Sequence, residues 1–62
     1  MTIYDNVKKL ADEREMSIAE VERTAGIANG TIRKWRYGKP KLESVLKVAK
    51  ALETEITVIV PY

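Results

Sequence analysis

Between Arg33 and Lys41 the chain carries five bases, Arg33, Lys34, Arg36, Lys39 and Lys41, within nine residues and without an acid. Just ahead of them stand Asn29 and Thr31, uncharged side chains that both donate and accept hydrogen bonds. Guanidinium and ammonium groups in such number suit a polyanion. Arg or Lys can also pair with the O6 and N7 edge of guanine, Asn with adenine, and Thr with a thymine methyl or a phosphate. The stretch therefore has the chemistry of a base reader followed by its phosphate anchors. Other chemistry is thin. The chain has no cysteine and no histidine, which excludes disulfides, thiolate nucleophiles, imidazole-based triads and the common zinc sites. As catalytic acids the clustered Asp12, Glu13 and Glu15 lack a pocket and a basic partner for catalysis, and they read as surface that keeps one end away from a polyanion. No nucleophile–base pair or metal set is present, so the reading is of a non-enzyme with no catalytic residue, metal or cofactor.

The net charge of +2 is unevenly spread. Through Ala28 four bases face six acids, whereas from Asn29 onward seven bases face three acids. Charge separated in this way points to one face built for a polyanion. With 62 residues the chain is expected to form a single domain over 1–62, and a fold this small buries only about 60% of the surface its unfolded chain exposes. No apolar run approaches the roughly 20 residues of a membrane span, and the N-terminus lacks a signal-peptide h-region. A cytoplasmic protein is expected.

The elements that must carry the basic stretch have legible ends. Thr2 with Asp5 three residues on can cap a first helix, with Ile3, Tyr4, Val7, Leu10 and Ala11 at helical spacing and an end near Glu15. Ser17 and Glu20 form a second capping box, with Met16 placed to staple onto Val21. The second helix starts at Ile18 and is closed by Gly26, a residue suited to the left-handed conformation. Ile27 points inward, and a third helix is expected from Ala28 or Asn29 to Tyr37, before Gly38. Beyond Lys39 and Pro40, Leu42, Val45, Leu46, Ala49 and Leu52 mark a fourth. The run Ile56–Val60 is wholly β-branched and stops at Pro61, which predicts a short strand or an extended tail over 55–62. A lone strand needs a partner, so Ile56, Val58, Ile59 and Val60 are expected to pair with a second copy or another protein. The other reading is an apolar tail folded back over the helices.

Two short helices across a Gly turn, the second basic on one side, form a helix-turn-helix arrangement over 17–38. With Ile32 and Trp35 inward and Ala28 behind them, a turn of roughly 100° per residue puts Gly30, Arg33, Lys34 and Tyr37 on the outer face, beside Asn29. Gly30 at that place fits a close approach of backbone to a groove, or an irregular first turn. Tyr37, outward near the helix end, is placed to touch phosphate. Trp35 and Tyr4 read as core.

In this order Ser17, Val21, Gly26, Thr31-Ile32-Arg33-Lys34-Trp35, Gly38, Pro40 and Leu46 to Leu52 resemble the lambda-repressor/Cro-type helix-turn-helix family, also called the Xre family, over residues 3 to 52. The resemblance implies an all-α, four-helix, DNA-binding fold. It implies base contacts from Asn29, Gly30, Thr31, Arg33 and Lys34, and phosphate contacts from Ser17 and Ile18 and from Arg36, Lys39 and Lys41 in the loop. Ile18 departs from the frequent Gln, so that contact would be weaker or made by backbone N–H groups at the helix start. Glu22 departs from the usual small residue and would lie at the helix edge and pair with Arg23 or Arg33. Lys41 replaces the usual Ser or Thr cap of the fourth helix. The expected protein is a transcriptional regulator of the repressor kind that binds double-stranded DNA as a homodimer. The alternative is a module that mainly holds a protein partner, since the tail also resembles the end of HigA-type antitoxins, which bind a toxin. A phage antirepressor that grips another repressor is the related possibility.

Overall fold

The computed structural model describes residues 2–60, in which five helices follow one another: α1 (Ile3–Glu13), α2 (Ile18–Ala25), α3 (Thr31–Lys34), α4 (Leu42–Ala51) and α5 (Ile56–Ile59). Both predicted capping boxes close as expected. Thr2 Oγ1 accepts from the Asp5 N–H and Asp5 Oδ2 from the Thr2 N–H, each at 3.1 Å. Ser17 and Glu20 repeat the exchange at the same distances.

The C-termini of α1, α2 and α4 share one device. At the end of α2, Gly26 sits at φ +75°, while its N–H donates to Arg23 O and that of Ile27 to Glu22 O. At the end of α1, Glu15 takes the same left-handed place at φ +55°, with Glu15 N–H on Asp12 O and Met16 N–H on Ala11 O. Glu53 does so after α4 at φ +53°, with Thr54 N–H on Ala49 O. These bonds satisfy carbonyls that a helix end leaves open. They also stop α1 at Glu13, two residues short of the expected Glu15.

The core gathers one stripe from every helix: Val7 and Ala11 from α1, Val21 from α2, Ile32 from α3, Val45, Val48 and Ala49 from α4 and Ile59 from α5, with Trp35 and Leu52. Helix α4 turns differently from the expectation. Val48 is buried, while Leu42 and Leu46 are 65% and 50% exposed.

The expected C-terminal strand is not formed. Residues Ile56–Ile59 make a helical turn, with Val60 N–H donating to Ile56 O at 2.9 Å. The tail is instead folded back over the helices, the other of the two readings. Its physical reason lies in two periodicities. As a strand, Ile56, Val58 and Val60 would share a face and leave backbone groups needing a partner chain. As a helix, Ile56, Ile59 and Val60 share a face, the turn bonds within itself, and Ile59 is fully buried. Burial outweighs the weak β-preference of the branched side chains. Asn6 Nδ2 fastens the turn by donating to Ile59 O at 2.8 Å. Pro61 and Tyr62, the end of the expected strand, lie outside the described residues. Among the described residues no helix is long and apolar enough to cross a membrane.

Candidate nucleic-acid interface

Helices α2 and α3 are joined by residues 26–30. Gly26 turns the chain, Ile27 is drawn against the core, and Ala28 and Asn29 stand in solvent. Ala28 therefore does not lie behind Ile32 and Trp35 as expected. Gly30 adopts φ +91° and precedes the first residue of α3, so the helix begins at Thr31, two or three residues later than expected. A Cβ at Gly30 would meet no atom of the protein within 4 Å. The left-handed backbone, rather than crowding inside the fold, is what calls for glycine here, and the irregular first turn is the observed arrangement.

Helix α3 is four residues long. Beyond it the chain continues in tighter turns, with Trp35 N–H on Ile32 O, Arg36 N–H on Arg33 O and Tyr37 N–H on Lys34 O at 3.0 to 3.3 Å. Bonds of this three-residue reach keep residues three apart on one side. Ile32 and Trp35 are buried accordingly, and Arg33, Lys34, Arg36 and Tyr37 are exposed. The outward face is the predicted one even though the helix is shorter.

Two shallow clefts flank this segment. One is lined by Tyr4, Ile18, Ala19, Glu22, Asn29, Gly30 and Arg33. It unites the start of α2 with the leading end of α3, and so joins four of the residues singled out from sequence: Ile18, Asn29, Gly30 and Arg33. The other, on the far side, is lined by Thr31, Lys34 and Trp35 together with Gly38, Lys39, Pro40, Lys41 and Ser44. Ser17 lies outside both clefts at the head of α2. Its Oγ accepts the Glu20 N–H, and its own hydroxyl proton remains available to an acceptor. Lys41 heads α4 without a side-chain cap bond, as expected.

Charge is distributed to match. Arg33, Lys34, Arg36, Lys39 and Lys41 are all exposed, and none forms an ion pair among the described residues. The pairs found lie elsewhere: Lys8 with Asp12 at 2.7 Å, Arg14 with Glu53 at 3.3 Å and Lys47 with Glu43 at 3.6 Å. The Asp12 carboxylate accepts from Lys8 and raises the lysine's pKa. The Arg36 guanidinium lies over two rings, 5.4 Å from the Tyr4 centroid and 5.7 Å from that of Tyr37. Aromatic faces attract a cation at this range and hold the guanidinium at the surface. Nearby, the Asp5 carboxyl is held below its ordinary value, first by the Thr2 backbone N–H and then by the Thr2 hydroxyl, with a smaller contribution from the charge of Arg36.

Two residues gained roles that sequence reasoning missed. Tyr4 is half-buried against the core and also supports Arg36. Glu22 is only 3% exposed, and its Oε2 accepts the backbone N–H of Ile32 at 2.9 Å. The expected position at the exposed helix edge is not taken, and the ion pair with Arg23 or Arg33 is not formed among the described residues. The signal was available, because Glu22 stands four residues after Ile18 and three before Ala25, on the apolar stripe of α2.

The tail residues divide. Ile59 belongs to the core, Ile56 is half-buried, and Val58 is 51% exposed. Val60 lines an apolar groove with Ile3, Lys39, Pro40, Leu42 and Val45.

A search of curated protein sequences finds no significant match. Among solved structures, the chain resembles the P22 c2 repressor protein in complex with synthetic operator 9T in the presence of Tl+, at TM-score 0.85 and 17% identity over 98% of this chain and 96% of that one. It resembles prophage Lp1 protein 11 at TM-score 0.80 and 17% identity, over 97% of this chain and 83% of that one. These likenesses carry the lambda-repressor-like fold. A family model for the Cro/C1-type HTH DNA-binding domain matches residues 6–59, a span from within α1 to the last residue of α5. By that match the chain belongs to the Cro/C1-type helix-turn-helix DNA-binding domains.

Proposed function

We propose that this domain is a transcriptional repressor that reads a two-fold related operator as a homodimer. The observation that carries the reading is the exposed, unpaired set Arg33, Lys34, Arg36, Lys39 and Lys41 gathered around a short helix whose inner side is anchored by Ile32 and Trp35. In this reading α3 enters the major groove, where Asn29, Thr31, Arg33 and Lys34 meet base edges and Gly30 lets the backbone come close. Ser17, the backbone at Ile18, Arg36, Tyr37, Lys39 and Lys41 hold phosphates on either side and fix the register. One such module makes few base contacts, and two half-sites about one helical turn apart multiply affinity and specificity. The dimer contact is formed by side chains rather than by a strand ladder, from Val58 and Val60 together with Leu42 and Leu46. A DNA partner places the protein in the cytoplasm.

The test compares three variants on a panel of duplexes differing by single base pairs. Arg33→Ala and Lys34→Ala relax base preference, and Lys39→Ala weakens binding alike on every duplex. Uniform weakening by all three without a change in base preference refutes the assignment of α3 as reader. Exposed Leu42, Leu46 and Val58 also suit the second reading, a module that holds a toxin or another repressor. Sedimentation separates the two: a homodimer that Val58→Asp splits while the fold persists supports the first, and a stable monomer alone and on a two-half-site duplex supports the second.

A further inference from the structure

Helix α3 is preceded by Gly30, which has no side chain to cap it. In most helices an oxygen on the residue before the first turn accepts the N–H of the second or third helical residue. Here the second N–H, that of Ile32, is taken by Glu22 Oε2 from the middle of α2, at 2.9 Å and out of solvent. No cation pairs with this carboxylate among the described residues, and no buried side-chain polar atom among them lacks a partner. A four-residue helix is too short to hold itself by its own bonds. Its orientation depends on what anchors it, and Ile32 is anchored twice, by its buried side chain and by this backbone bond.

We propose that Glu22 is a positioning residue for base reading: its carboxylate caps α3 from the neighbouring helix and sets the angle at which Asn29, Thr31, Arg33 and Lys34 face a groove. This rests on the operator reading above. Thr31 and Arg33 flank Ile32 directly, so releasing the Ile32 N–H lets both shift, while Lys39 and Lys41 on the following loop stay in place. A charged acceptor makes the stronger bond to an N–H, and its isostere Gln keeps an acceptor oxygen at the same reach. Glu22 thus acts through its neighbours, without itself touching DNA.

The experiment uses Glu22→Gln, Glu22→Ala and Glu22→Met, the last keeping the volume without an oxygen. Each is selected against a random duplex library, and amide exchange of Ile32 is followed by NMR. Glu22→Gln keeps the wild-type motif and the protection of Ile32. Glu22→Met and Glu22→Ala lose that protection, and their discrimination against wrong bases falls about tenfold, while affinity for non-specific duplex and its salt slope stay within about twofold. A merely structural role lowers the folded fraction and leaves the motif intact. A motif unchanged in folded Glu22→Met overturns the proposal, as does failure of both Glu22→Ala and Glu22→Met to fold where Glu22→Gln folds. A wild-type protein that enriches no motif removes the operator reading and this proposal with it, an outcome visible before any variant is made.

Discussion

Replacing Ile59 by Ala asks whether the C-terminal turn is part of the core. Ile59 is fully buried and joins the cluster that holds Val7, Val45 and Leu52, and its carbonyl accepts from Asn6. Truncating a buried Ile to Ala costs about 2–5 kcal/mol, the upper part of that range applying where the site cannot collapse. The turn is tied to α1 by the Asn6 bond, which restricts collapse, so a loss of about 3 kcal/mol is expected. A domain of this size has roughly 3–9 kcal/mol of stability in all, at about 0.05–0.15 kcal/mol per residue. The midpoint of thermal unfolding then falls by about 23 °C. The neighbouring Val58→Ala, at a position 51% exposed, changes stability by no more than about 0.5 kcal/mol. The assay is urea unfolding followed by circular dichroism, with the slope unchanged between variants. A Val58→Ala loss larger than that of Ile59→Ala reverses the faces and refutes the helical register. The same arithmetic warns against deleting residues 56–62 to test dimerisation, since such a deletion removes Ile59 and unfolds the domain first. A charge at Val58 is the cleaner probe.

Four further outcomes follow from the geometry. Glu15→Gly relieves a left-handed non-glycine residue at φ +55°, and after the entropy that glycine costs the unfolding free energy rises by about 0.5–1 kcal/mol; equilibrium unfolding checks it. Gly30→Ala places a Cβ on a φ of +91° and destabilises by about 1–2 kcal/mol despite the free space around it, in the same assay. Lys39→Ala and Lys41→Ala each reduce the slope of log affinity against log salt by about 0.9, measured by fluorescence anisotropy on a labelled duplex. The folded Asp5 carboxyl titrates below its ordinary value of 3.8, so its contribution to stability is fully present above that pH and is lost as pH falls through the folded value. In an acid titration Asp5→Ala is less stable than wild type at pH 7, and the two curves approach each other as pH falls through the folded value.

The starts of α1 and α2 were readable because their chemistry is local. Thr2 with Asp5 and Ser17 with Glu20 each complete a bond between residues three apart, and nothing distant alters them. Gly26 was readable for the same reason. The ends at Glu15 and Glu53 were not, because glutamate carries no preference for the left-handed region and takes it only where packing beyond the turn demands it. In α4 apolar residues occupy too many sides for periodicity to choose, and contact with α2 and α5 selects Val48 over Leu46. The tail offered both a two-residue and a three-to-four-residue pattern in five side chains, and burial of Ile59 in the core with the Asn6 bond to its carbonyl decides between them. The outer face of α3 was legible since Ile32 and Trp35 fix it by spacing. Its anchor, Glu22, was passed over because a carboxylate on an apolar stripe reads as an edge residue until a buried N–H is found opposite it.

The most direct measurement is selection of bound duplexes from a random library by the purified protein at near-physiological salt, followed by sequencing. A two-fold symmetric motif whose half-sites lie about one helical turn apart is expected. Enrichment without any motif would contradict the operator reading, leaving a basic face that holds phosphate and reads nothing.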